Sequence, residues 1–430
     1  MIGVPAGLRR VAALPAPVRL MLASMVLFNI GFYLVVPFLA VHLSEGLGFA
    51  AWIVGMILGL RMASQQGMFF VGGSLADRFG VRRIVLIGIA VRIVGFIAVG
   101  FAESLVGVVV GVLLIGLAAA LFAPAVEAAN ASYGALLERQ NIMRRTELFG
   151  LEQMCSRTGT VLGPLLGAAL LGVPFAWTTC SAAVLFAGLW IAFFRWFPAT
   201  VTTSAMQPGS VAPADRRIWA VWRSVLSHKV FLAYAALCAA QLSAYSLLYL
   251  MLPAELESIA GNQSALGWFY AGAALMVILW QRPVVRLVHR IGHREAVIGG
   301  LSVMAVSFLV PAAADGLTHK TAWQYAAVAG WVALLHIGQM LMVPPMRDTV
   351  AALAGEHNLG AHFGMLNSIA GLGCLIASVG VGGLYDLTSE ADLATALVWC
   401  AVTAVVAGAV GGLMVWYRRH PDVGPVAIAV

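Results

Sequence analysis

Twelve stretches of about twenty apolar residues, separated by short polar turns, dominate this chain. They read as 20–43, 51–73, 84–102, 105–131, 147–172, 175–195, 230–252, 264–285, 296–314, 322–344, 362–384 and 393–417. Each can cross the roughly 30 Å hydrocarbon core of a bilayer as a helix. Inside lipid the backbone has to satisfy its own N–H and C=O groups, so such stretches are expected to be helical. Of the 430 residues, 61% are hydrophobic and 10% charged, which excludes a soluble globular fold. The expectation is an all-α membrane protein of twelve transmembrane helices, with the lipid bilayer as its solvent.

The charges orient these spans. With the N-terminus inside, Arg9, Arg10, Arg78, Arg82, Arg83, Arg139, Arg144, Arg145, Arg216, Arg217, Arg290, Arg294, Arg418 and Arg419 fall on the inner side. The opposite loops carry Glu45, Glu103, Glu255, Glu257 and Asp386, with Lys320 as their one basic residue. Both termini are therefore expected in the cytoplasm. The excess of positive charge, +7, comes from basic residues placed in loops on one side with no exposed basic domain, which argues against a nucleic-acid partner. The five cysteines (Cys155, Cys180, Cys238, Cys374 and Cys400) lie scattered in apolar stretches without metal or disulfide spacing, and no cofactor is expected. No GxxxxGK[ST] loop marks an ATP-driven pump, and no HExxH or GxSxG marks an enzyme.

A polar, Pro/Gly-bearing interval at 199–228 divides the spans six and six. Two six-helix bundles are expected, 1–198 and 229–430, joined by a cytoplasmic linker. The halves echo each other: DRFGVRR after the second span resembles HRIGHRE after the eighth, and FAPAVE ending the fourth resembles MVPPMR ending the tenth. Paired repeats with a binding site between them suit a rocking transporter.

The stretch Gly72–Arg83, GGSLADRFGVRR, packs a carboxylate and three arginines into one turn at a membrane surface. On composition alone it is a positive-inside hairpin. The same residues resemble the loop 2–3 motif of the major facilitator superfamily, and Gly159, Gly163, Pro164 and Gly167 resemble the antiporter motif of its twelve-helix drug:proton branch. Gly48–Gly80 is similar to the corresponding stretch of bacterial multidrug-resistance transporters. The resemblance implies a bacterial inner-membrane monomer that exports amphipathic drugs or toxic metabolites by alternating access, in exchange for protons. Gly73, Asp77, Arg78, Gly80, Arg82 and Arg83 would be its gating loop. The loop departs from the family pattern at Val81, where a basic residue is usual, and the first span lacks the acidic residue common in the branch. A facilitator or exporter of one defined metabolite (a sugar, siderophore or amino acid) and a non-transporting membrane sensor are the alternatives.

Ionisable and polar groups at membrane depth are costly and tend to face a bundle interior. Arg61 and Gln65 share one face of the second span, able to bind an anionic or carbonyl-bearing group or to form an internal structural pair. Arg92, in the third span, reads as snorkelling or structural. Glu127 and Glu152 are the proton-coupling candidates; the resemblance also gives Glu127 a part in holding the inner gate closed. Arg157 is expected deeper than Glu152. Gly159, Gly163 and Gly167 form a strip without side chains, suited to close packing, and Pro164 in that strip allows a bend. Asn29 and Tyr33 in the first span, Tyr245 and Tyr249 in the seventh, and His336 and Gln339 in the tenth complete the cavity candidates for a small-molecule substrate, with ordinary helix packing as the plain alternative for each.

Overall fold

The computed structural model describes residues 14–421 apart from 70, 73–74, 76–78, 144, 171, 199–217, 318–320, 355–358 and 391–395. Within them the chain is helical. The first group comprises α1 (Ala16–Val41), a π-helical turn (His42–Gly46), α2 (Ala51–Gly67), α3 (Val81–Phe101), α4 (Leu105–Arg139), α5 (Arg145–Ala169) and α6 (Phe175–Trp196). A short helix α7 (Ile218–Ser227) leads into α8 (Lys229–Ser246), α9 (Leu248–Ala260), α10 (Leu266–Ile291) and α11 (His293–Ser307). The last four are α12 (Leu309–Leu317), α13 (Thr321–Ala354), α14 (Leu359–Glu390) and α15 (Ala396–Arg419).

Nine continuous segments among the described residues are long and apolar enough to cross a membrane, or ten if the bent pair Leu266–Gln281 and Pro283–Ile291 is one span. Two of the twelve expected spans fall short for visible reasons. The described part of the second, α2, has only 17 residues. The fifth, α5, carries Arg145, Glu147, Glu152 and Arg157 in its first half. The seventh and ninth spans are each two helices, broken at Leu247 and Phe308. Large apolar side chains such as Val106, Val184, Ile376 and Val405 are exposed while Arg61, Arg92 and Gln241 are buried. That inversion is what a protein solvated by hydrocarbon requires.

The chain forms two compact units. One comprises Met1–Val35 with Met68–Ala214, the other Val36–Gly67 with Asp215–Val430. In the first, α3 packs on α4 and α6, and glycines permit close approach: a Cβ on Gly95 would lie 3.0 Å from the Ile115 backbone nitrogen. In the second, α2 lies along α14 and α11 along α13. A Cβ on Gly55 would stand 2.0 Å from the Ser378 carbonyl oxygen, and one on Gly382 would stand 2.3 Å from that of Ala51. The backbones of α2 and α14 therefore touch, which only small residues allow. Asp386 of α14 closes the seam by accepting the α2 N-terminal amides of Ala51 (2.9 Å) and Trp52 (2.8 Å). These are among the donors a helix start leaves without an internal partner.

The two loops that echo each other in sequence share one backbone form. Gly80 (φ 85°, ψ 145°) precedes α3 and Gly292 (φ 92°, ψ 161°) precedes α11. Both occupy a region that residues with a Cβ rarely adopt.

Candidate functional site

The candidate residues fall into one cluster in each unit. In the first unit, α1 and α5 meet through the glycine strip. A Cβ on Gly159 would lie 2.3 Å from the Val26 carbonyl oxygen, and one on Gly163 would lie 2.6 Å from the Tyr33 Cβ. This closeness places Asn29 against the polar face of α5. Its Nδ2 donates to the Met25 carbonyl (2.8 Å) and to Ser156 Oγ (3.1 Å), and its Oδ1 accepts from Thr160 Oγ1 (3.4 Å). Tyr33 is half-buried with its ring edge-on to Phe32. Pro164 and Gly167 are buried within α5. Glu152 is 8% exposed and Arg157 is half-buried.

Arg92 lies in the same unit, 1% exposed. Its Nη1 donates to the Ile115 carbonyl at 3.0 Å, and its guanidinium carbon stands 5.2–5.6 Å from the ring centres of Phe32, Phe96, Phe122 and Phe186. It does not snorkel: a ring quadrupole on several sides and one carbonyl take the place of water. Of the gating loop, Gly73, Asp77 and Arg78 lie outside the described residues. Arg82 donates to the Phe194 carbonyl and lies over that ring, 5.4 Å from its centre, while Arg83 is exposed. Glu127 is on α4, and its side chain lies outside the described residues.

In the second unit the candidates from three spans form one chain of contacts. The α2–α14 seam holds Arg61 inside, 1% exposed. Arg61 Nη1 donates to Gln65 Oε1 at 3.3 Å, one turn along, and its guanidinium carbon is 5.8 Å from the centre of the Tyr249 ring. Tyr249 stands edge-on to Tyr245 at 6.3 Å, across the break between α8 and α9. Tyr245 stands edge-on to His336 at 5.5 Å. His336 Nδ1 lies 2.7 Å from the Val332 carbonyl, which can only accept, so the proton is on Nδ1. Gln339, one turn further on α13, is half-buried. Tyr270 of α10 stacks on Tyr249 at 5.7 Å and belongs to the same network. Tyr270 is not among the cavity candidates drawn from the sequence, although a tyrosine within an apolar span is the same signal that singled out Tyr245 and Tyr249.

This network combines a buried cation, an amide, three phenols and an imidazole among apolar helices. Such a set can hold a mainly apolar molecule by its rings and orient a carbonyl or anionic group at Arg61 and Gln65.

The family model of the Major Facilitator Superfamily matches residues 21–258 and 241–429. An MFS-type transporter of Mycobacterium tuberculosis (strain ATCC 25618 / H37Rv) is 31% identical over 404 residues, covering 92% of each chain. The multidrug resistance protein MdtH of Escherichia coli O9:H4 (strain HS) is 30% identical over 375 residues, covering 86% of this chain and 87% of that one. Among solved structures, the nucleoside transporter NupG superposes with a TM-score of 0.74 at 12% identity, over 94% of this chain and all (100%) of that one. An auto-inhibited peptide transporter of the POT family gives 0.74 at 16% identity, over 96% and 99%. At those identities the superpositions speak for the fold alone. A family match over nearly the whole chain, relatives that are transporters rather than enzymes, and a multi-pass all-α fold agree: the chain belongs to the Major Facilitator Superfamily of membrane transporters.

Proposed function

We propose that this transporter is a secondary active exporter of amphipathic drugs or toxic metabolites, working by alternating access and exchanging its substrate for protons. The observation that carries the reading is the Arg61–Gln65–Tyr249–Tyr245–His336 network, in a chain related over most of its length to a multidrug resistance protein. Rings supply broad apolar contact and Arg61 the polar anchor. Residues 1–198 and 229–430 are the two moving bundles, and 199–228 is the linker on the cytoplasmic side, where both termini lie. The protein acts as a monomer in the bacterial inner membrane. In this cycle α2 and α14 part as the cavity changes sides, and the motif Gly159–Gly167 keeps α5 tight on α1. Gly73–Arg83 is the gating loop, with Asp77 and Arg78 at its centre.

Glu127 is the first proton carrier in this scheme and Glu152 the second. A carboxylate at membrane depth gains or loses a proton as the cavity around it opens. In proteoliposomes with an imposed pH gradient, Glu127→Gln is expected to abolish proton-driven uptake of an amphipathic dye while leaving dye binding intact. Unchanged proton-driven transport would remove Glu127 from the cycle and pass the role to Glu152. The polar anchor Arg61–Gln65 also favours a second reading, an exporter of one carbonyl- or carboxylate-bearing metabolite. Competition assays separate the two: broad inhibition by unrelated amphiphiles fits drug export, and inhibition by one compound class fits the metabolite.

A further inference from the structure

At the end of the second unit where α2 begins, three polar residues from distant parts of the chain converge. Glu45 lies in the π-helical turn that ends α1, Glu257 in the last turn of α9, and Gln263 in the connection to α10. Gln263 is 5% exposed, and its Nε2 donates both to Glu45 Oε1 and, at 3.1 Å, to Glu257 Oε2. The amide has two N–H groups, so each carboxyl takes one. Accepting from one nitrogen holds the two carboxyls side by side. Gln263 Oε1 is buried with no hydrogen-bond partner among the described residues. A buried acceptor left this way is costly, so the position is held by what Nε2 does on its other side.

Two ionised carboxylates drawn onto one amide repel each other. One added proton turns that repulsion into a hydrogen bond between them and leaves both N–H donors in use. The contact ties the end of α1 to the α9–α10 connection, residues 218 positions apart. Directly beyond it, residues 47–50 lead into α2, whose first amides are held by Asp386 of α14. Among the described residues, the other titratable groups on the elements that meet there are His42 on the turn itself, Arg61 on α2, Tyr249 and Glu255 on α9, and His362, Cys374, Tyr385 and Asp386 on α14. The His42 ring lies against Gly46, where a Cβ would come within 2.9 Å of Nδ1.

We infer that Glu45, Glu257 and Gln263 form a proton-binding latch that holds this end of the protein closed when one proton is shared and releases it when both carboxylates are ionised. Both carboxyls are exposed on one side, so the latch reads the proton activity of that side and carries no proton across. This separates its role from that proposed for Glu127. On the topology proposed above it faces outward, where arriving protons would close the outer end after substrate release.

The test uses the full-length protein in lipid nanodiscs, with its five cysteines replaced and nitroxide labels at Ala50→Cys and Ala260→Cys. Pulsed electron-paramagnetic-resonance distances need neither substrate nor transport, so this outcome is separate from that of the export assay. Between about pH 8 and about pH 5 the closed, short-distance population is expected to rise about fivefold. Glu257→Gln and Glu45→Gln, which mimic the protonated partner, are expected to stay closed throughout. His42→Asn is expected to keep the shift. A distance distribution independent of pH in the parent, or a parent-like shift in Glu257→Gln, overturns the latch. So does loss of the shift in His42→Asn alone, which would move the sensor to the imidazole. Should cysteine removal prevent folding, thermal unfolding of the cysteine-intact chain decides. Glu257→Gln should raise Tm at about pH 8 and not at about pH 5, and equal shifts at both overturn the proposal.

Discussion

Arg92 and Arg61 are equally deep, each 1% exposed, yet their surroundings differ in kind. Arg92 is enclosed by four phenylalanines and one carbonyl, all within the first unit. The contacts described there are with ring faces and with one backbone carbonyl, and one of those rings, Phe122, stacks on Phe28 at 4.5 Å. Arg61 instead joins an amide, a phenol and, through that phenol, a path to His336. Polar side chains can exchange one hydrogen-bond partner for another, and phenylalanine rings cannot. The first environment therefore fixes a helix bundle, and the second is suited to take up a ligand group. Burial of a charge does not by itself mark a site; the exchangeability of its partners does.

The largest effect is expected from emptying the first environment. Arg92→Ala should cost on the order of 3–5 kcal/mol, like other large-to-small core changes, and appear as lost folded protein in size-exclusion profiles. Arg92→Met fills the space without the charge and should restore at least about half of that stability. If it restores none, the cation and not the volume holds the rings together. Next comes the second environment. Arg61→Ala should lower transport about tenfold or more, with a smaller fall in Tm than Arg92→Ala shows, because its polar neighbours can rehydrate. Arg61→Lys should recover little of the transport, since an ammonium lacks the planar fork of donors. A folding defect as large as that of Arg92→Ala would erase the distinction drawn here. The smallest effect is expected from Tyr249→Phe, which keeps the ring beside Arg61 and removes one hydroxyl. Half-maximal substrate concentration should rise about two- to tenfold with Tm unchanged.

Much of this was legible in the sequence. Arg61, Gln65, Tyr245, Tyr249 and His336 stood out because polar groups are conspicuous in apolar spans, and they do meet. Tyr270 was missed because it carries no second polar residue on its own turn to draw attention to it. The aromatic enclosure of Arg92 could not be read at all, since Phe32, Phe96, Phe122 and Phe186 come from four different helices. The two echoing loops, by contrast, were visible as DRFGVRR and HRIGHRE, and their shared glycine conformation follows from the shared residue.

The sequence by itself determined that the chain is helical and lives in lipid. Those properties depend on local composition, because in hydrocarbon each segment has to close its own backbone hydrogen bonds whatever its neighbours do. Tertiary structure alone decided that α2 packs on α14, that Asp386 caps a helix more than three hundred residues away, and that Glu45 shares an amide with Glu257. Between helices in lipid there is no hydrophobic force to select a partner. Close fit and a few polar contacts choose it, and both are properties of pairs of surfaces rather than of any one stretch.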